Sequence, residues 1–480
     1  RKFACPALPG GGWMVLLGCL VALSACNLPR STSVTPASPP GPALTSTVTP
    51  TATVTLTPLP TPTPLPTARI GSGEKALFNG DYDLARQEYT LALNSSAEEA
   101  IRREALWGQG RTEFSDEEYF AALTPLRQLT TTYPGSEEAI KAHFLLGEAY
   151  YALARYADAV AAYQAYLDAR PGLLDAYVQE RRGDAFSNLA DFSSALAAYQ
   201  AALAAPEQAD PLNIRLKIAN TTYAAGEFDI ALAMYDELFA ATDQDYLKAR
   251  LDLLAGRALM ALNRKTEAYN RWQDAVDKYY PYIDSYYALV GLVDAGQPVD
   301  EFQRGVVDYF ARQYGVAVAA FDRYLEQNPA HDGSALHYKA LSLREMGEYQ
   351  AAIDLWTEFI QKYPDNRFWA SAWDERAYTQ WAYLREHTVA AESLETFARD
   401  VSGSPYALPY LIEAARIYER DNQLEKAANL WESLPNKYPT DTKMAEALFQ
   451  AGILRYRLGD YPRANLNFQH ALSLITVPAD

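Results

Sequence analysis

Residues Gly147–Pro171 read GEAYYALARYADAVAAYQAYLDARP. Within this stretch Gly147 precedes Ala159 by twelve residues and Tyr156 precedes it by three, while Tyr163, Tyr166 and Pro171 follow at four, seven and twelve. Offsets of four and seven bring side chains to one face of an α-helix, and proline cannot continue one. A glycine lets a second helix come close, because it has no Cβ. The stretch therefore predicts a helical hairpin, with Gly147 on the first helix, a turn before Tyr156, and a second helix centred on Ala159 and ended at Pro171.

The same order recurs down the chain. Ala85, Ala122, Ala159, Ala195, Ala231, Ala268, Ala317, Ala352, Ala390, Ala427 and Ala464 are spaced by 37, 37, 36, 36, 37, 49, 35, 38, 37 and 37 residues. Four residues after these alanines, nine of eleven positions are aromatic, against 12% aromatic residues in the whole chain, so the pattern is not a product of composition. Seven residues after them, every position is apolar, from Ala92 and Leu129 to Leu434 and Ala471. Twelve residues before them, ten of eleven positions are small, including Gly73, Gly110, Gly183, Gly256, Gly305 and Gly452. The pattern resembles the tetratricopeptide repeat, with units of 36 or 37 residues instead of about 34. That resemblance implies an all-α solenoid of about eleven helical hairpins, with repeats 1–6 in residues 70–280 and repeats 7–11 in 301–480. Two units depart from it: the sixth has Lys265 at the aromatic turn position, and the ninth has His387 there with Tyr378 at the small position. The 49-residue interval predicts an added helix within 281–300, read as an elbow, with a covered loop as the alternative.

Ahead of the array stands WMVLLGCLVALSAC, Trp13–Cys26. The thirteen residues from Trp13 to Ala25 are too few to span a bilayer as a helix, which takes about 20. Arg1 and Lys2 precede the run and small residues close it, the order of a secretory signal, here residues 1–25. Leu23-Ser24-Ala25-Cys26 resembles the lipobox of bacterial lipoproteins, which implies cleavage before Cys26 and a lipid on its thiol. Ordinary cleavage after Ser24 or Ala25, releasing a soluble protein, is the alternative. Cys5, Cys19 and Cys26 are the only three cysteines, so a chain cut before Cys26 has no thiol pair for a disulfide or a thiolate metal site. The cut also removes two positive charges and takes the net charge from −18 to −20, a surface that disfavours nucleic acid and anionic lipid.

Residues 26–69 read as a linker. From Ser31 to Ala68 it carries no charged residue and includes TPLPTPTPLPT, a composition that cannot bury a core. At ~3.1 Å per residue in polyproline II, a segment of this length reaches roughly 120 Å.

Catalytic signals are sparse. His143, His331, His337, His387 and His470 are scattered over five units without metal-ligand spacing, and read as core or surface residues. The sequence has no phosphate-binding glycine loop, nucleophile elbow or dinucleotide fingerprint, and no cofactor is expected. Tyr133-Pro134, Tyr280-Pro281, Tyr363-Pro364 and Tyr438-Pro439 close second helices. They resemble segments of two envelope families: repeat-bearing lipoproteins of outer-membrane assembly and cell division, and the helical superstructure of soluble lytic murein transglycosylases. The second resemblance implies a Glu-Ser pair followed by a Gly-Leu-Met-Gln-like segment, which is absent; Glu392-Ser393 and Glu432-Ser433 read as solvated helix faces.

These readings lead to a lipid-anchored, extracytoplasmic scaffold that binds an envelope protein or peptide, possessing no enzymatic site of its own. The repeat resemblance places the concave binding face on the first helices, at Phe144, Glu148 and Tyr151, Tyr177, Glu180 and Asp184, and Asn220 and Tyr223. Aromatics there give rigid contact area, and the carboxylates favour basic partners. The alternative is the positioning arm of a peptidoglycan-cleaving transglycosylase whose catalytic domain follows Asp480, since no polar capping helix follows the eleventh hairpin.

Overall fold

The computed structural model describes residues 64–206 and 210–475. Residues 1–25, read above as a secretory signal, Cys26 and the stretch read as a linker as far as residue 63 lie outside the described residues. Twenty-three helices and no strand occur among those described. They pair as α1–α2 (Pro66–Phe78, Tyr82–Ser95), α3–α4 (Glu99–Ser115, Tyr119–Thr132), α5–α6 (Glu137–Ala152, Tyr156–Ala169), α7–α8 (Asp175–Asn188, Phe192–Ala204), α9–α10 (Pro211–Ala224, Phe228–Ala241) and α11–α12 (Asp245–Ala261, Lys265–Lys278). A lone helix, α13 (Ile283–Asp294), precedes α14–α15 (Glu301–Phe310, Tyr314–Gln327), α16–α17 (Ser334–Glu345, Tyr349–Lys362) and α18–α19 (Trp369–Ala382, His387–Asp400). The array continues with α20–α21 (Ala407–Arg420, Leu424–Lys437) and α22–α23 (Met444–Arg457, Tyr461–Leu474). This is the all-α solenoid of eleven hairpins that the spacing predicts.

The recurring residues explain the packing. All eleven alanines are buried, and the aromatics four residues on lie against the small residues of the first helices. A Cβ on Gly183 would sit 2.5 Å from the Tyr199 ring, and one on Gly305 equally close to Phe321. The same ring also meets the following hairpin: Tyr89 lies against Gly73 of its own unit and Gly108 of the next. Tyr89 is thus a wedge between two consecutive first helices, as is Trp272 between Gly256 of α11 and Gly291 of the helix that follows its hairpin, and such wedges carry apolar burial from unit to unit.

The turns use one device throughout. Five residues before each of the eleven alanines, the backbone has positive φ. Gly80, Gly226, Gly347 and Gly459 fill four of these places, whereas Ala154 (φ 55°), Ala190 (58°) and Arg312 (62°) adopt the left-handed conformation with a side chain. In ten of the eleven turns the hydrogen bonds are those of a Schellman cap, as where Ala154 N–H donates to Tyr151 O at 2.9 Å and Arg155 N–H to Tyr150 O at 2.8 Å; in the ninth, Glu386 N–H donates to Gln380 O instead.

The ninth unit keeps the packing by lengthening its turn. The small position is occupied by Ala377, which is buried, and Tyr378 beside it is 41% exposed. The connection 383–386 is one residue longer than 153–155, so counting back twelve from Ala390 overshoots the small position by one. At the other end α1 starts at Pro66, inside the segment read as linker, because proline suits the first turn of a helix, where an N–H has no partner to lose.

Between the sixth and seventh hairpins α13 packs on α11 and α12 and touches α14. Leu253, Trp272, Val276, Ala288, Leu289, Leu292 and Val307 form one buried cluster, so the apolar seam passes through α13 without a gap.

A candidate binding face on the first helices

The residue after each small position points toward its own second helix, where the repeat aromatic is often tyrosine. Tyr163 donates its hydroxyl to Glu148 at 2.6 Å, Tyr199 to Asp184 at 2.7 Å, Tyr235 to Asn220 at 2.9 Å and Tyr89 to Glu74 at 2.9 Å. A cation from the following first helix then answers the carboxylate. Arg181 on α7 donates from Nε and Nη2 to the two oxygens of Glu148, both at 2.9 Å, in the bidentate geometry that guanidinium and carboxylate favour. Lys217 on α9 lies 2.8 Å from both oxygens of Asp184 and 2.7 Å from Glu180. A ladder of phenol, carboxylate and cation thus ties α5, α7 and α9 together.

The eight residues singled out from the sequence all fall on this face. Phe144 packs against Tyr177 of the next hairpin with ring centroids 5.9 Å apart. Tyr151 lies under the Arg181 guanidinium, 4.2 Å from its centroid, and Tyr223 meets Phe228 edge-on at 5.1 Å. Tyr177 is 46% exposed, while the other seven are half-buried. Burial pushes the Tyr151 and Tyr177 phenols above their ordinary range, with Asp184 and Glu148 respectively adding to the effect. For Lys217, burial pulls downward but is outweighed by the bonds to Asp184 and Glu180, so its ammonium is held charged.

One part of the sequence argument changes. Glu148, Glu180 and Asp184 are read from the sequence as attractions for a basic partner, but Arg181 pairs with Glu148 and Lys217 with both Asp184 and Glu180, so three carboxylates share two cations of the chain itself. Of the aromatic groups on this patch, Tyr177 is the exposed one. Arg181 and Lys217 carry a signal that single-unit inspection misses, since each stands 33 residues after its acidic partner.

Elsewhere the polar groups serve packing. His337 is buried, stacks on Phe368 at 4.8 Å and accepts from Trp356 Nε1 at 3.3 Å; burial, then Arg344, push its pKa down to about 4. Glu432 accepts from Arg455 at 2.9 and 2.7 Å, which holds its carboxyl below the usual range, the reverse of what a proton-donating acid needs. Glu392 lies 3.4 Å from Lys426. Among the described residues no group of His, Cys, Asp and Glu is arranged to hold a metal ion, and no helix is long and apolar enough to cross a membrane.

Family comparison meets this geometry at three places. Models of the tetratricopeptide repeat match residues 216–281, from α9 to just past α12, and 334–366, which covers α16–α17. The chain is a tetratricopeptide-repeat protein. A further model, YfiO, described as an outer membrane lipoprotein, matches residues 99–179, from α3 into α7. No curated protein matches this repeat protein. Solved structures similar to it include a tetratricopeptide repeat protein from Parabacteroides merdae, at 14% identity over 58% of this chain and 98% of that one, with a TM-score of 0.36. Pseudomonas aeruginosa pilF is 18% identical over 47% of this chain and 97% of its own, with a TM-score of 0.33. A thermophilic repeat protein from Thermus thermophilus is 24% identical over 41% and 99%, with a TM-score of 0.26. Tetratricopeptide repeats form a scaffold suited to protein–protein contact.

Proposed function

We propose that this tetratricopeptide-repeat protein is an extracytoplasmic scaffold, tethered to an envelope membrane by lipid on Cys26, that binds a protein or peptide along the face of its first helices. The observation that carries the reading is the continuity of that face, where Phe144 meets Tyr177 and the Glu148–Arg181 and Asp184–Lys217 pairs join three successive hairpins. A surface prepared in this way costs a partner little ordering, because ion pairs and stacking already hold its side chains. The outer membrane lipoprotein model over residues 99–179 supports the envelope setting and overlaps the patch. In the same reading α13 is the elbow between the repeats of 70–280 and those of 301–480.

The test places a photo-crosslinking amino acid at Tyr177 in the full-length chain within envelope extracts, alongside fatty-acid labelling of the wild type and Cys26→Ser. The expected result is a discrete protein adduct, with label on the wild type and none on the variant. Recovery of bulk murein alone would favour the transglycosylase-arm reading, and unchanged labelling of Cys26→Ser would remove the anchor.

A further inference from the structure

The ladder of the first helices reverses sign at α11. Glu148, Asp184 and Asn220 each follow a small residue and accept a hydrogen bond from a tyrosine hydroxyl fifteen residues on. In the sixth hairpin the residue after Gly256 is Arg257, and the repeat aromatic is Trp272, whose Nε1 donates to Leu253 O at 3.3 Å. An acceptor is therefore replaced by a cation in a place where the second helix offers no phenol.

The next helix offers no answering charge in the register of Arg181 and Lys217. A Cβ on Gly291 of α13 would lie 2.8 Å from Trp272, as one on Gly108 would meet Tyr89, so Gly291 holds the register that Arg181 and Lys217 occupy on α7 and α9. Arg250, two helical turns before Arg257 and on the same side of α11, is also exposed. Among the described residues neither guanidinium has a hydrogen bond or an ion pair. The groups facing them are the phenol of Tyr235 and the half-buried carboxyl of Asp284, both of which feel the two positive charges. One carboxyl does not balance two guanidinium groups, so a net positive spot stands on the binding face of a chain whose formal charge is −18. Beside it α13 presents Tyr287, 50% exposed, in the register of Tyr177, together with Val290, 36% exposed.

We infer that Arg250 and Arg257 form a recognition point for an acidic peptide segment of the partner, with Tyr287 and Val290 as its apolar border. The inference rests on the reading of the first-helix face as a protein-binding surface and names the partner's chemistry. Seven residues of helix separate the two cations by roughly 10 Å at ~1.5 Å per residue, which a polyproline II segment, with three residues per turn at ~3.1 Å each, matches with carboxylates three residues apart on one face.

The experiment pans the full chain against three pools of fluorescein-labelled decapeptides, random except for a fixed Glu-x-x-Glu, Gln-x-x-Gln or Lys-x-x-Lys. The expected result is preferential binding of the Glu pool, weakened at least tenfold in R250Q/R257Q and in salt of about 1 M, where the Debye length is about 3 Å. R257E is expected to shift the preference toward the Lys pool. Both positions are exposed, so the variants keep their fold, which circular dichroism confirms. Equal binding of the three pools, preference for the Lys pool by the wild type, no binding of any pool, or indifference to R250Q/R257Q would each overturn the inference. The Tyr177 crosslink separates the two readings: a partner adduct without acidic preference refutes this inference alone, and acidic binding without an adduct refutes the envelope partner alone.

Discussion

Replacing Ala154 by glycine should stabilise the third hairpin, although it removes a side chain. Ala154 sits at φ 55°, where an L-residue is disfavoured by about 1–2 kcal/mol because its Cβ crowds the following carbonyl. Glycine escapes that cost but gives the unfolded chain more freedom, a penalty of roughly 0.5–1 kcal/mol. The difference leaves a net gain of about 0.5–1 kcal/mol. Repeat arrays do not always unfold in one step, so the appropriate assay is local: amide hydrogen exchange at Arg155 N–H, which donates to Tyr150 O across the turn. Exchange should slow about two- to fivefold in Ala154→Gly, the factor that corresponds to that gain at ~1.4 kcal/mol per decade. Gly226→Ala, at φ 88°, should act in the opposite direction in the fifth hairpin. Faster exchange in Ala154→Gly, or slower exchange in Gly226→Ala, would refute the reasoning that every turn is built on a left-handed residue.

Other substitutions test the packing and the ladder. Gly183→Val puts a side chain where a Cβ would lie 2.5 Å from Tyr199, and should lower local stability by about 1–3 kcal/mol, read as faster amide exchange in α7 and α8. Glu148→Gln leaves Arg181 without its carboxylate and should cost about 1–3 kcal/mol, part of which the double variant with Arg181→Gln recovers in a mutant cycle. Asp308 is buried, and that burial raises its carboxyl from 3.8 to about 6. The folded state then binds its proton more tightly than the unfolded state does, so a stabilisation present below pH 3.8 is lost as pH rises to about 6. Asp308→Asn should flatten that part of the stability–pH curve relative to wild type by up to about 3 kcal/mol.

Hairpin number and packing were legible because one steric rule repeats: a small residue, an alanine and an aromatic at fixed offsets must pack helix on helix. The turn conformation was legible only at positions such as Gly80 and Gly459, since Ala154, Ala190 and Arg312 carry no composition signal for a left-handed backbone. In the ninth unit a fixed count landed on Tyr378, because a one-residue lengthening of a turn leaves no mark until Ala377 is seen buried. The eight residues chosen by register do lie on the first helices, but their pairing across hairpins was not visible in the sequence. Pairing across hairpins, such as Arg181 with Glu148, depends on three-dimensional neighbours and not on the unit in which each residue stands.

The central claim is that contact is made on the first helices and not on the outer helices. Photo-crosslinkers placed singly at Tyr177 and Tyr223 on α7 and α9, and at Gln164 and Glu237 on α6 and α10, compare the two surfaces in one extract. The account predicts the same protein adduct at both first-helix sites and none at the second-helix sites; an adduct confined to Gln164 or Glu237 would contradict it.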